Sequence, residues 1–362
     1  NTGRQETPAL SNIQALDIGL TRPRDRGYVL HTIRGSQCAQ NDFEALIQEL
    51  GPRSKSDFGT SGGRSTNGGW PYWNIAWGDA GVIAVLGWPG QWDASMLRDD
   101  DVGLKVRAGL SPFNSTLKPG EEIRSPLALL QFWQGGDWIR AQNMWRHFYV
   151  DHVIPHPNGK LPKPFTATCI DDAFPGMLSN AEAEMRGMDD YVQHGHKFDR
   201  WWIDAGWYDT DKDWAAGVGS WNPHPKRYPK GIREVSDYAH KLGMELVLWF
   251  EPERVAPDTW LYKNHPEWLL GTDGQMKLLN LGHPEGFKWL TGFINAFITE
   301  QGVDLYRQDF NIDPLGIWEQ SDAPNRKGMT EMKYIMGFLA FWDDLLLNHP
   351  GMLIDTCASV MP

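Results

Sequence analysis

From residue 164 onward, short apolar runs alternate with stretches whose apolar positions recur at helical spacing. Residues 165–170 read as a first strand and 181–193 as an amphipathic helix. Residues 200–204 read as a second strand, and 231–242 as a helix that Gly243 closes as a C-terminal cap. Residues 244–250 form a third apolar run, ending in Glu251-Pro252-Glu253. A helix over 288–301, stopped by Gly302, feeds Leu305-Tyr306-Arg307-Gln308-Asp309-Phe310-Asn311. Residues 329–347 then read as a long helix and 351–355 as a fifth strand. Strand-then-helix units in succession indicate a parallel sheet, and a (β/α)8 TIM barrel is the expected architecture, with about five βα units present.

The first part of the chain has another texture. Residues 82–86 and 127–132 read as strands bounded by turn residues, and Lys118-Pro119-Gly120 as a turn. This part is expected to be all-β, a sandwich. A Gly- and Ser-rich stretch over 59–69 reads as a mobile loop. Gly87-Trp88-Pro89-Gly90-Gln91-Trp92 sets two Trp about a turn, either as a sugar-facing edge or as packing. Residues 136–149 carry Trp138, Ala141, Trp145 and Phe148 at helical spacing, a stripe that packs against a neighbour. The Pro-rich stretch 151–164 reads as a linker. The expected domains are therefore 1–160, a β-sandwich with its linker, and 161–362, a barrel represented by its first five strands.

Composition narrows the function. Nineteen of 362 residues are Trp, and the net charge is −12. Indole faces suit the C–H faces of sugars, and carboxylates suit their hydroxyl rims. The acidic balance argues against nucleic-acid and anionic-membrane partners. The chain has no apolar run long enough to span a bilayer. Cys38, Cys169 and Cys357 are odd in number and far apart, giving neither a disulfide framework nor zinc spacing.

In parallel barrels the chemistry gathers at the carboxyl ends of the strands. Here those ends read Cys169-Ile170-Asp171-Asp172, Asp204-Ala205-Gly206-Trp207, Trp249-Phe250-Glu251-Pro252-Glu253, Arg307-Gln308-Asp309-Phe310-Asn311 and Asp355-Thr356-Cys357. Carboxylates with Trp beside them on one rim fit a polyol substrate. Retaining glycoside hydrolysis needs one carboxylate nucleophile and one carboxylic acid, roughly 5 Å apart. A nearby cation favours the charged form of a carboxylate, and residues 307 and 309 share a strand face. The same residues also allow a structural Asp–Arg pair. Asp209, Asp211 and Asp213 alternate as in a calcium loop, but Trp214 and Ser220 stand where such a loop needs Gly and an acid. Asn114-Ser115-Thr116 is a glycosylation sequon. His224, His240, His265 and His283 lack metal-ligand spacing and read as surface or capping residues.

Trp201-Trp202-Ile203-Asp204-Ala205-Gly206-Trp207, Leu248-Trp249-Phe250-Glu251-Pro252-Glu253 and Tyr306-Arg307-Gln308-Asp309-Phe310-Asn311, in that order, resemble the melibiase-type α-galactosidases of glycoside hydrolase family 36. Tyr262-Lys263-Asn264-His265-Pro266-Glu267-Trp268 adds to the likeness, which covers most of 120–359. The resemblance implies an N-terminal β-supersandwich ahead of the barrel, and cleavage of terminal α-galactosyl groups with retention, with neither metal nor organic cofactor. It implies Asp309 as nucleophile, aligned with the family's Lys-Trp-Asp motif, with Arg307 in place of the Lys that binds sugar hydroxyls. Asp204, Trp249, Asn311 and Cys357 fall on substrate-binding positions, and Trp221 is counted with them. Two departures bear on the sugar: Ala205 stands where the family has a second Asp, and Arg307 offers a planar fork instead of a point charge. A non-catalytic carbohydrate-binding relative and a galactosyl-transferring relative of the raffinose or stachyose synthase type stay open as alternatives.

Both ends of the chain read as cut. The family's acid/base Asp lies about twenty residues beyond the fifth-strand Cys by that resemblance, so residues 1–362 alone are expected to be inactive. The incomplete barrel is expected to expose an unpaired strand edge, which favours self-association into a homo-oligomer.

Overall fold

The structure is a computed structural model that describes residues 1–357. The reading of Ala358 to Pro362 as a cut end lies outside the described residues. The chain forms two compact units, one of residues 1–154 with 313–335, the other of 155–312 with 336–357.

The first unit is an antiparallel sandwich. Its strands are β1 (Gln14–Thr21), β2 (Tyr28–Ile33), β3 (Ala45–Leu50), β4 (Lys55–Gly59), β5 (Tyr72–Trp77), β6 (Ala80–Gly87), β7 (Trp92–Arg98), β8 (Gly103–Leu110) and β9 (Leu127–Gln134). Among the described residues they form two sheets, ordered β9-β6-β5-β2-β3 and β1-β8-β7-β4. Burial alternates along β2 and β7, the period-2 pattern of strands with one face on a core. Trp73 of one sheet and Trp92 of the other meet edge to face, ring centroids 5.7 Å apart, and both are fully buried.

Trp88 and Trp92 are thus packing residues and not a sugar-facing edge. The 59–69 stretch also differs from its reading as a mobile loop. Ser65, Thr66 and Asn67 are buried, and Asn67 is tied to Thr60 and Ser61. Its polar residues close hydrogen bonds within the loop instead of facing water. Helix α1 (Trp138–His152) begins where Asp137 accepts the Arg140 N–H, and its Ala141 and Trp145 cover Tyr72 and Ile83. Residues 313–335 supply a two-residue strand, Arg326–Lys327, that pairs with Asn114–Ser115. Arg326 ion-pairs Glu121 at 2.7 Å.

In the second unit the elements that build the barrel portion are β10 (Ala167–Thr168), α2 (Ala181–Gln193), β11 (Arg200–Ile203), α3 (Arg233–Lys241), β12 (Glu245–Phe250), α4 (Pro284–Gln301), β13 (Leu305–Gln308), α5 (Met329–Asn348, whose first turns belong to the first unit) and β14 (Leu353–Thr356). These five strands make one parallel sheet in chain order, β10-β11-β12-β13-β14, the arrangement of a partial barrel, and Arg254–Val255, Lys277–Leu279 and Leu269–Leu270 make a small antiparallel sheet beside it in sequence. The first strand is shorter than its apolar run, since only Ala167 and Thr168 find ladder partners on β11. Helix α4 starts four residues ahead of its apolar stripe, because His283 caps it and Pro284 fits its first turn. Gly302 ends it in the left-handed region at φ 69°.

Candidate active site

The cross-strand register decides which strand-end side chains can meet. Trp249 of β12 lies opposite Arg307 of β13, which lies opposite Asp355 of β14. Asp309 follows β13 directly, and its backbone N–H donates to the Phe250 carbonyl at 2.8 Å. The Asp309 side chain is 8% exposed. Its Oδ2 accepts two hydrogen bonds, from Trp249 Nε1 at 3.1 Å and Asn311 Nδ2 at 2.7 Å. Its Oδ1 accepts one, from the Phe310 N–H at 2.8 Å.

Asp204, at the end of β11, belongs to the same cluster. Burial pushes its carboxyl up; the Ala205 N–H and the Arg307 charge oppose this, and the Asp309 charge adds to it. Its backbone N–H donates to Asp171 Oδ2 at 2.9 Å, and Asp171 Oδ1 accepts from Ser179 at 2.8 Å. Behind them Glu184 accepts the Trp201 indole N–H at 2.7 Å. Burial pushes Asp171 and Glu184 upward, so this acid pair is held at least partly protonated.

Arg307 ion-pairs Asp355 rather than Asp309. Asp355 stands directly opposite it on the neighbouring strand, whereas Asp309 is two residues further along. The guanidinium also lies over the Trp202 ring, 4.3 Å from its centroid, a stacked arrangement a lysine would not reproduce. The backbone of Cys357 is fixed by donation to the Gln308 carbonyl at 3.0 Å. Trp221 is 3% exposed and packs against Trp207, Tyr208, Trp249 and Phe250. Asp309, Asp204, Trp249, Arg307 and Asn311 are therefore brought together, and Trp221 joins them through its ring contact with Trp249.

Two groups of residues around this cluster were not assigned from the sequence. Glu251 is fully buried and receives both the backbone N–H and, at 3.4 Å, the side-chain amide of Asn311, together with Arg254 Nη2 at 2.5 Å. Gln308 accepts from Tyr306 and Trp342 and donates to Glu253 at 2.6 Å. Burial pushes Glu253 up to about 8. The available signal was the alternation along β13: Gln308 points opposite to Arg307 and Asp309, so a polar residue there needed buried partners. The Asp triplet also has local roles. Asp213 caps residues 214–217 by accepting the Ala216 N–H, and Asp211 pairs with His224 at 3.1 Å.

The melibiase family model matches residues 184–360. The chain is 33% identical over 288 residues to an α-galactosidase of Escherichia coli, with 76% of this chain and 38% of that protein covered. The chain carries a melibiase domain. It is 23% identical over 294 residues to the α-galactosidase Mel36A of Lactobacillus acidophilus, again with 76% and 38% covered. The chain thus spans less than half the length of these curated relatives. Its fold is that of family 36 α-galactosidase crystal structures. AgaA of Geobacillus stearothermophilus in complex with stachyose superposes with a TM-score of 0.79 at 17% identity, over 95% of this chain and 48% of that one. The raffinose complex of AgaA gives 0.80 at 18% identity, over 94% and 48%. All the residues of the cluster from Asp204 to Cys357 fall within the melibiase match. In the described residues no helix is long and apolar enough to cross a membrane.

Proposed function

We propose that the protein is a retaining α-galactosidase that removes terminal α-D-galactosyl residues from oligosaccharides or glycoconjugates, with Asp309 as nucleophile. The melibiase domain supports the substrate class. The observation that carries the residue assignment is the anchoring of Asp309: three donors fix the carboxylate, one from β12 and two from the residues that directly follow β13. A nucleophile held in one orientation meets the anomeric carbon without first losing rotational freedom.

In the first displacement an Asp309 oxygen bonds to the anomeric carbon while the bond to the aglycone oxygen breaks, and an acid delivers a proton to that oxygen. Water then attacks the glycosyl ester, and the carboxylate is restored with overall retention. Asp204 accepts hydroxyl hydrogens of the sugar, Arg307 donates to its oxygens, Trp249 offers an indole edge at the reacting carboxylate, and Asn311 and Cys357 complete the rim. Trp221 supports Trp249 through their ring contact. By the family pattern the proton donor belongs to the sixth strand, so a polypeptide of residues 1–362 would show no turnover. Domain limits of 1–160 for the sandwich with its linker and 161–362 for the barrel portion belong to the same reading, with residues 313–335 lent to the compact first unit.

The test is hydrolysis of an aryl α-galactoside by the full-length protein and its Asp309→Asn variant. Loss of at least about a thousandfold in kcat is expected, as for removal of a group essential to the chemical step. Activity within tenfold of the parent would show that the nucleophile lies elsewhere.

A further inference from the structure

Two donors converge on one oxygen of Asp309, and both are held from the same buried cation. Asn311 reaches Oδ2 at 2.7 Å while its backbone N–H and the second hydrogen of its amide go to Glu251. Glu251 in turn is held by Arg254 Nη2 at 2.5 Å. Turning the Asn311 amide over would set its carbonyl oxygen against two carboxylates, so the hydrogen bonds themselves fix which way it points. The Arg254 guanidinium also covers the Trp214 ring, 5.0 Å from its centroid. Trp214 meets Trp249 edge to face at 5.7 Å, and Trp249 supplies the other donor to Oδ2.

We propose that Glu251, braced by Arg254, is a positioning residue for Asp309, acting through Asn311, and that it thereby selects Oδ1 as the attacking oxygen. This rests on the assignment of Asp309 as nucleophile. A carboxylate oxygen has two lone pairs in the carboxylate plane. Both on Oδ2 are taken by Trp249 and Asn311, whereas among the described residues Oδ1 receives the Phe310 N–H alone. Oδ1 therefore forms the bond to the anomeric carbon as the aglycone bond breaks, and Oδ2 becomes the carbonyl oxygen of the ester with its two donors still in place. Glu251 and Arg254 are both buried and, among the described residues, form no hydrogen bond with Asp309; the Glu251 charge is felt there through space, while their hold on its orientation passes through the Asn311 amide and the Trp214–Trp249 contact.

A purely architectural Glu251 would hold the chain turn after β12 and nothing more. The two roles separate in a double-mutant cycle on the full-length protein with an aryl α-galactoside, using Glu251→Gln and Asn311→Ala. Gln keeps the size of Glu251 but turns one acceptor into a donor, which frees Asn311. The expected result for each single variant is a loss of about 10- to 100-fold in kcat, as for a reacting group held loosely, with KM of Glu251→Gln, which lies outside the substrate rim, changed by less than about threefold. The double variant should be no worse than the poorer single one. Multiplying effects, or an effect confined to KM or to thermal stability, would overturn the proposal. If Glu251→Gln does not fold with Arg254 unpaired, Glu251→Gln/Arg254→Met, which strands no charge, takes its place in the cycle.

A second readout needs no turnover. In protein carrying 15N only in asparagine, the side-chain amide signals of Asn311, assigned by their absence from Asn311→Ala, should shift on Glu251→Gln. Unchanged signals would refute the relay. A full-length parent inactive on every α-galactoside would instead end the galactosidase reading, and the amide signals would still decide whether Glu251 orients Asn311.

Discussion

Replacing Glu331 by Gln should stabilise the protein, and by an amount that grows with pH. Glu331 sits in the first turn of α5, and its Oε1 accepts the Gln91 N–H at 2.6 Å and the Trp88 indole N–H at 3.4 Å. No cation accompanies it in these bonds, and burial pushes its carboxyl up to about 8 from 4.5, against the pull of the two donors. In the unfolded chain an ordinary Glu loses its proton near pH 4.5. Between that value and 8 the folded state therefore binds more protons than the unfolded one, so stability is complete at the acid end and falls as pH rises through the window. At about 1.4 kcal/mol for each pH unit, the carboxyl forfeits about 3 kcal/mol by pH 7. The Gln carbonyl can accept the same two donors and does not titrate.

Urea unfolding of parent and Glu331→Gln at pH 5, 6, 7 and 8, followed by Trp fluorescence, should show nearly equal stability at pH 5. The variant should be ahead by about 3 kcal/mol at pH 7. Asp171, Glu184 and Glu253, which burial also pushes upward, are present in both proteins and drop out of the difference. A gap that stays constant from pH 5 to pH 8 would refute the reasoning.

Three further outcomes are expected. Trp249→Phe keeps a ring but removes the N–H that reaches Asp309 Oδ2; kcat of the full-length protein on an aryl α-galactoside should fall about tenfold, the worth of one hydrogen bond to a charged group, with little change in KM. Gln308→Leu removes three buried hydrogen bonds and leaves Tyr306, Trp342 and Glu253 without that partner; a loss of about 3–5 kcal/mol should appear in urea unfolding. Gly206 has φ +87°, and a Cβ there would stand 2.4 Å from the Met177 carbonyl oxygen; Gly206→Ala should cost about 2 kcal/mol or more in the same assay.

The strands that carry the site were legible because their signal is local. The apolar run that became β12 and the helix–Gly302–strand passage into β13 need no knowledge of the rest of the chain. Asp309 could be singled out the same way, as the carboxylate at the end of such a strand. The partner of Arg307 could not, because sequence distance says nothing about register: Asp355 is 48 residues away yet directly opposite. Glu251 and Arg254 were visible as part of a motif, but their use depends on Asn311, 60 residues on. Where residues 59–69 misled, Gly and Ser were read as marks of mobility. In the fold they permit close approach instead: a Cβ on Gly69 would lie 2.2 Å from the Gly59 carbonyl oxygen. Trp88 and Trp92 gave no sign of direction, since burial of a Trp next to a turn depends on what arrives from elsewhere.

The path of the chain between its two units bears on how the protein is made. The polypeptide leaves the first unit after Ile154, builds four barrel strands, returns to the first unit for residues 313–335 and then completes α5 and β14. On the ribosome the sandwich therefore emerges first, and the Gln91 N–H and the Glu121 carboxylate must wait for these partners until Glu331 and Arg326 are translated. A gene split at the linker would give one product lacking a piece of its own wall and another carrying that piece with nothing to bind. Co-translational order, more than the linker's length, makes this chain a poor candidate for division into separately expressed halves.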